Sequence, residues 1–222
     1  MKIKIGLIRV LTIRGDELLN SHGRLIETHF SNLKVISKCI RDQSEGIHNE
    51  ETEQIAIPKI VELGMKMAKE EFRAIIVSCT DDPGVAELRS VLDVPVIGAG
   101  SSAASLSLSY GSRVGILGIT EKTPKIMKEI LGQRIVAELK PECVKTSLDL
   151  MTEEGKSDAF RVGDDLRKRG AEVITLSCTG YSTIGLAECL QKAVGIPVID
   201  PILSAGLFTW YLVGRNKWKS RV

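Results

Sequence analysis

Val173-Ile-Thr-Leu-Ser-Cys-Thr-Gly-Tyr-Ser182 decides how the chain is read, because Ala74-Ile-Ile-Val-Ser-Cys-Thr-Asp-Asp-Pro83 repeats its order. Each stretch is a short apolar run, then Ser-Cys-Thr, then turn formers. Such a run bounded by turn residues predicts a strand buried on both faces of a parallel sheet. Cys79 and Cys178 therefore fall where a strand ends and a helix is about to begin. That carboxyl edge is where open α/β sheets bind their ligands.

The repeat extends outward from the cysteines. Val94-Pro-Val-Ile-Gly98 follows one and Ile196-Pro-Val-Ile-Asp200 the other, while Ile5-Gly-Leu-Ile8 upstream answers Val114-Gly-Ile-Leu117. Repetition at this length indicates duplicated domains, not the short periods of a solenoid. Between the matching glycine and cysteine the first half is longer by about ten residues, assigned to a mobile polar loop at Arg41–Glu53 with Gly46 and His48. Two like domains facing across a cleft would each contribute one Cys-Thr to a shared site.

Composition sets the outer bounds. The chain has 222 residues, 43% hydrophobic and 26% charged, as expected of a soluble globular protein. Its net charge is +2, and Arg215, Lys217, Lys219 and Arg221 form a basic tail, read as a solvated terminus. No nucleic-acid footprint is left elsewhere. Lys2, Lys4 and Arg9 interrupt the apolar start, which excludes a signal-peptide core. The uncharged run Val94–Ser112 is too rich in Ser and Gly for a membrane helix. Five cysteines without a C-x-x-C pair predict reduced thiols in a cytoplasmic protein, and no spacing suits a zinc site.

Strands are expected at Lys2–Leu11, Leu33–Ser37, around Ile75–Ser78, Val94–Gly98, Arg113–Thr120 and Val144–Leu148, with another at the Cys178 run. Helices are expected at Asp16–Phe30, from Pro83, after Gly100 and from Thr123. Ile57, Ile60, Val61, Gly64, Met65 and Ala68 fall on one helical face, as do Ala159, Val162, Gly163 and Leu166. Strands alternating with helices define a parallel α/β protein.

A free cysteine is most often a small buried hydrophobe, which suffices for Cys39, Cys143 and Cys189. Cys79 and Cys178 occupy strand exits ahead of helix-start N–H groups, a setting that favours the thiolate. Neither has the arginine of a phosphatase loop, and His22, His29 and His48 all lie in the first half, His22 and His48 read as loop residues. Paired thiols suit inversion of a stereocentre: one sulfur removes a proton from one face and the other delivers one opposite. Thr80, Thr179 and the N–H groups from Gly180 onward would hold the charge of an enolate-like intermediate.

Cys79-Thr-Asp-Asp-Pro-Gly84 with Val94-Pro-Val-Ile-Gly98, and Leu176-Ser-Cys-Thr-Gly180 with Ile196-Pro-Val-Ile-Asp200, resemble the two cysteine segments of hydantoin racemases. These belong to the cofactor-independent aspartate/glutamate/hydantoin racemase superfamily. The resemblance runs from the first strand to about Gly206. It implies two similar α/β domains, each a four-stranded parallel sheet with helices on both faces, related by pseudo-two-fold symmetry with the active site between them. It implies residues 1–98 plus 206–222 as the first domain and 99–205 as the second. It also implies two-base racemisation of a small molecule without cofactor or metal, and a homo-oligomer. Ser101, in Gly98-Ala-Gly100-Ser-Ser102, would border the ligand, and Thr120 and Thr123 either touch it or cap a helix. Tyr181 either lines the pocket or covers it. The chain departs from hydantoin racemases after its first strand, where Arg9-Val-Leu-Thr-Ile-Arg14 replaces an Asn-Pro-Asn-like turn. Arg9 is either a fork for a substrate carboxylate or a strand-end surface residue. Besides a hydantoin-like substrate, two readings remain: an aspartate or glutamate racemase, and a non-catalytic small-molecule binder of the same fold.

Overall fold

The computed structural model describes residues 2–147 and 149–215. Two compact units emerge, one holding the described residues up to Ala99 and from Ala205 on, the other Gly100–Ser204. The first contains β1 (Ile3–Arg9), α1 (Asp16–His29), β2 (Leu33–Cys39), α2 (Glu50–Ala68), β3 (Ile75–Ser78), α3 (Val85–Val91) and β4 (Val96–Gly98). Then come α4 (Ala99–Ser107), β5 (Val114–Leu117), α5 (Lys125–Leu131), β6 (Ile135–Leu139), α6 (Glu153–Lys168) and β7 (Val173–Leu176). The short α7 (Gly180–Thr183), α8 (Leu186–Val194), β8 (Val198–Ile199) and α9 (Pro201–Gly214) complete the series.

Each unit has a four-stranded sheet in which every paired strand is parallel, ordered β2-β1-β3-β4 in one and β6-β5-β7-β8 in the other. The two orders correspond strand for strand, so β3 and β7, which lead into the cysteines, hold equivalent places.

Alternation along these strands builds the cores. Ile75, Val77 and then Cys79 join Ile8 and Val10 against Ala56, Ile60 and Met67 of α2 and Val85 and Leu88 of α3. Ile174 and Leu176, with Cys178 packed alongside, join Leu117 against Ala159, Val162 and Leu166 of α6 and Leu190 of α8. Val173, one place before Ile174, faces the other way, with Val114, Ile116 and Ile199, against Met127 and Leu131 of α5. Each fully buried Leu or Ile contributes about 1.5–3 kcal/mol.

Helix packing repeats at residue level. A β-carbon on Gly64 of α2 would meet Leu88 Cδ2 at 2.4 Å, and one on Gly163 of α6 would meet Leu190 Cδ1 at 2.6 Å. In both halves a glycine thus lets two helices on one sheet face approach closely.

The structure corrects several sequence-based expectations. The stretch after Arg41 is pinned by the buried Gln43, whose Nε2 donates to Gly46 O at 3.0 Å and Thr52 O at 3.1 Å, and α2 begins already at Glu50 under an Asn49–Thr52 capping box. A polar side chain satisfied inside a loop leaves no hydrophobic period to read. The expected strand at 144–148 is not one among its described residues; the strand is Ile135–Leu139, within Glu129–Glu142, where half-buried residues hide the alternation. Leu148 lies outside the described residues, as does the basic tail beyond Arg215. The helix expected from Pro83 starts at Val85, because Asp82 and Gly84 take left-handed conformations with φ of 53° and 71°.

Candidate active site

Cys79 is the first residue past β3. It is buried, and its Sγ donates to Asp81 Oδ2 at 3.8 Å. The turn that follows folds Asp82 back over the end of β4, where a β-carbon on Gly98 would lie 2.0 Å from Asp82 Oδ2. Gly98 is thus required by the close approach of a carboxylate. Burial pushes the Asp81 carboxyl above its usual range; the Cys79 hydrogen bond works against this and the charge of Asp82 adds to it. Glu53 of α2 is also raised, by burial and then by Asp81, Glu50 and Glu87. The surroundings of Cys79 are therefore acidic.

Cys178 lies two residues past β7 and is half-buried. Its Sγ accepts the Gly180 backbone N–H at 3.3 Å. A β-carbon on Gly180 would press on Ser147 Cβ at 3.0 Å, Leu150 Cδ1 at 3.1 Å and Sγ of Cys178 at 3.3 Å. Only glycine fits there without displacing the sulfur or the wall behind it. The Thr179 carbonyl accepts Thr183 N at 3.3 Å, closing the single turn of α7.

Tyr181 is fully buried and its hydroxyl donates to Gly118 O at 2.9 Å, tying the Cys178 turn to the exit of β5. Burial, then the neighbouring Cys178, raises its phenol well above the ordinary value, so it serves as a fixed donor. Asp200 Oδ1 accepts the Ser182 hydroxyl at 2.9 Å and the N–H groups of Ile202 and Leu203 at 2.8 and 2.9 Å, capping α9.

The other predicted residues have distinct places. Thr80 is buried beside Cys79 in sequence, and Ser101 is half-buried in the first turn of α4. Thr120 Oγ1 donates to Lys122 O at 2.9 Å, closing a turn past β5. With Thr123 and Glu138 it lines a concavity of about 220 Å³ at the carboxyl edge of β5 and β6.

Arg9 is not brought to Cys79. Ile8 and Val10 point into the cluster that contains Cys79, so Arg9 between them points to the opposite sheet face. There its Nη1 donates to Leu18 O at 2.8 Å and to Ser21 Oγ at 3.3 Å on α1. Only 4% of Arg9 is exposed, so it is not the strand-end surface residue of the second alternative, and burial lowers its pKa to about 10. His22, expected in a loop, is buried on α1 with Nδ1 2.7 Å from Ser78 Oγ. Sequence reading missed both placements because each side chain finds its partner across the α1–sheet contact, Arg9 through Nη1 while its buried Nε has none. It also missed Asp81, although the position was visible: Asp81 stands two residues after Cys79, as Gly180 stands two after Cys178.

Among the described residues no group of three or more His, Cys, Asp or Glu is placed to hold a metal ion, and no helix is long and apolar enough to cross a membrane.

The profile of the family described as Asp/Glu/Hydantoin racemase matches residues 26–205. A hydantoin racemase of Pseudomonas sp. (strain NS671) is 25% identical over 183 residues, 77% of this chain and 70% of that protein. One from Rhizobium meliloti is 29% identical over 158 residues, 67% of this chain and 64% of that protein. Among solved structures, an allantoin racemase from Klebsiella pneumoniae superposes with a TM-score of 0.84 at 22% identity, covering 96% of this chain and 88% of that one.

Proposed function

Because this chain belongs to the Asp/Glu/hydantoin racemase family, and so among the isomerases, we propose that it racemises a neutral, hydantoin-like cyclic ureide by two-thiol acid–base catalysis. The observation that carries this reading is the equivalence of Cys79 and Cys178. Both follow corresponding strands of matching sheets, and both pack on the α2/α3-type face of their own sheet.

The thiolate of one cysteine takes the proton from the carbon next to the carbonyl, and the electron pair moves into that carbonyl as an enolate. The thiol of the other returns a proton to the opposite face, leaving the first protonated and the second ionised. The Gly180 N–H already directed at Cys178 favours its sulfur as an anion. Thr80 and Thr179, each following its cysteine, are the proposed donors to the enolate oxygen, and Ser101 and Thr120 are proposed to border the substrate.

A neutral ring is favoured over an acidic amino acid by the charges near Cys79. Asp81, and Glu53 beside it, would repel a substrate carboxylate, and the guanidinium of Arg9 is held by α1 on the other face of the sheet. The names of the relatives support the same class.

The test is proton NMR in heavy water with both pure enantiomers of a 5-substituted hydantoin, of allantoin and of aspartate and glutamate. Wild type should racemise a ureide with loss of the α-proton signal. Cys79→Ser and Cys178→Ser should each stop racemisation, and each should still exchange one enantiomer, opposite for the two variants. Near wild-type racemisation by either variant rules out the two-thiol mechanism. Absence of exchange with every substrate by wild type favours a binding protein.

A further inference from the structure

The two cysteine turns follow the same plan but differ at their third residue: Cys79-Thr80-Asp81 against Cys178-Thr179-Gly180. That difference decides what each sulfur meets. Cys79 Sγ points its proton toward a carboxylate oxygen at 3.8 Å, whereas Cys178 Sγ receives a backbone N–H at 3.3 Å. A carboxylate next to a thiol opposes loss of the thiol's proton, and an N–H donor directed at sulfur favours the anion.

We propose that Asp81 is a positioning residue that keeps the proton on Cys79, so that the resting enzyme holds Cys79 as the thiol and Cys178 as the thiolate. The inference rests on the two-thiol reading above and deepens it by giving the pair a resting direction.

The groups around each sulfur act in the same sense. Near Asp81 stand Asp82 of the same turn and Glu53 of α2, which itself has Glu50 and Glu87 for neighbours, and these charges oppose a further negative one. Burial raises the Asp81 carboxyl, and the hydrogen bond it accepts from the Cys79 thiol acts against that rise by favouring the carboxylate. Beside Cys178 lies Tyr181, which keeps its proton, and Asp158 of α6 and Cys143 act on that same phenol. Of these, Asp158 is already engaged by Arg161 and by the N–H groups of Glu142 and Cys143. The two turns are not interchangeable as they stand, because a β-carbon at Gly180 would crowd Ser147, Leu150 and the Cys178 sulfur at 3.0–3.3 Å.

In the resting form Cys178 abstracts and Cys79 donates, so one enantiomer meets an enzyme ready for it. The other enantiomer requires the opposite form, in which the proton has moved from Cys79 to Cys178. Product release after inversion of the first enantiomer leaves that opposite form, inversion of the other restores the resting form, and return to rest without turnover moves one proton from Cys178 to Cys79 through solvent.

The experiment needs no turnover. Alkylation by iodoacetamide is followed at the Cys79 and Cys178 peptides by mass spectrometry from pH 5 to 10, for wild type, Asp81→Asn and Asp81→Glu. In wild type the Cys178 rate should reach half its plateau at lower pH than the Cys79 rate. Asp81→Asn should lower the Cys79 midpoint by about one pH unit and leave that of Cys178 in place. Asp81→Glu, which keeps the carboxylate, should stay near wild type. A Cys79 midpoint at or below that of Cys178 in wild type overturns the proposal, and so does one that Asp81→Asn leaves unmoved. The unchanged Cys178 midpoint reports that the variant has folded, and the order of the two midpoints in wild type tests the idea if Asp81→Asn does not fold. If these titrations come out as expected while wild type exchanges no α-proton, the racemase reading fails and the pre-set thiol pair stands.

Discussion

Asp81 carries a charge in a place that resists it, and this has a consequence for stability as well as for chemistry. Its folded value lies above the unfolded one, with burial the largest cause. The folded protein therefore binds the proton more tightly than the unfolded chain. The associated stabilisation is full below the unfolded value and is lost as pH rises through the folded one. Asp81→Asn should accordingly raise the melting temperature at pH 7, with the gain shrinking as pH falls toward about 4. Thermal melts at pH 4, 5.5 and 7 check this, and a loss of stability equal at all three would show that the hydrogen bonds of Asp81 outweigh its burial. The position was legible in the sequence as the partner of Gly180 in the repeat, but its proximity to sulfur was not, since a turn's side-chain direction depends on φ at Asp82 and Gly84. Arg9 shows the same limit. Its place on β1 could be read, but the sheet face it points to follows from the register of Ile8 and Val10 on the core.

At the scale of elements, the duplicated helix contacts decide how closely α2 and α3, and α6 and α8, can pack. Leu88 and Leu190 are fully buried, so neither can move aside into solvent to admit a β-carbon at Gly64 or Gly163. Overpacking of this kind costs about 1–3 kcal/mol. Alanine returns about 1 kcal/mol in helix propensity, which leaves a net loss. Gly64→Ala and Gly163→Ala should each destabilise the protein by about 1–2 kcal/mol in urea titrations. Adding Leu88→Ala to the first, or Leu190→Ala to the second, should remove most of the clash and make the pair less destabilising than the sum of its parts. Additive losses would place the cost elsewhere. Both glycines were visible in the helical periodicity, but as buried positions only. That each faces a leucine is a property of the packing.

At the scale of the whole molecule, the second unit is continuous in sequence and the first is not. The segment Gly100–Ser204 contains its own sheet and the cores on both sheet faces. The first unit also takes in residues from Ala205 on, where Gly206 packs on Phe30 and Ile26 and Trp210 lies 6.2 Å from the Phe30 ring. Expressed alone, residues 100–204 should give a cooperative thermal transition by circular dichroism. Residues 1–99 alone should expose the Ile26–Phe30 surface, bind a hydrophobic dye and melt broadly until a peptide of residues 201–215 is supplied. A sharp, dye-free transition of 1–99 would show that α9 is dispensable to its core.

The sequence by itself determined the parallel α/β class, the duplication and the strand-exit position of both cysteines. These follow from local periodicity and from a repeat written in adjacent residues, which survive without knowledge of any long-range contact. Only the tertiary structure decided that Cys79 faces a carboxylate while Cys178 faces an amide, that Arg9 is bonded to α1 and His22 of α1 to Ser78, and that Gln43 pins the longer loop. In each case a polar side chain acquires its role from a partner brought near by the register of strands or the angle of a turn, and no local pattern encodes that partner.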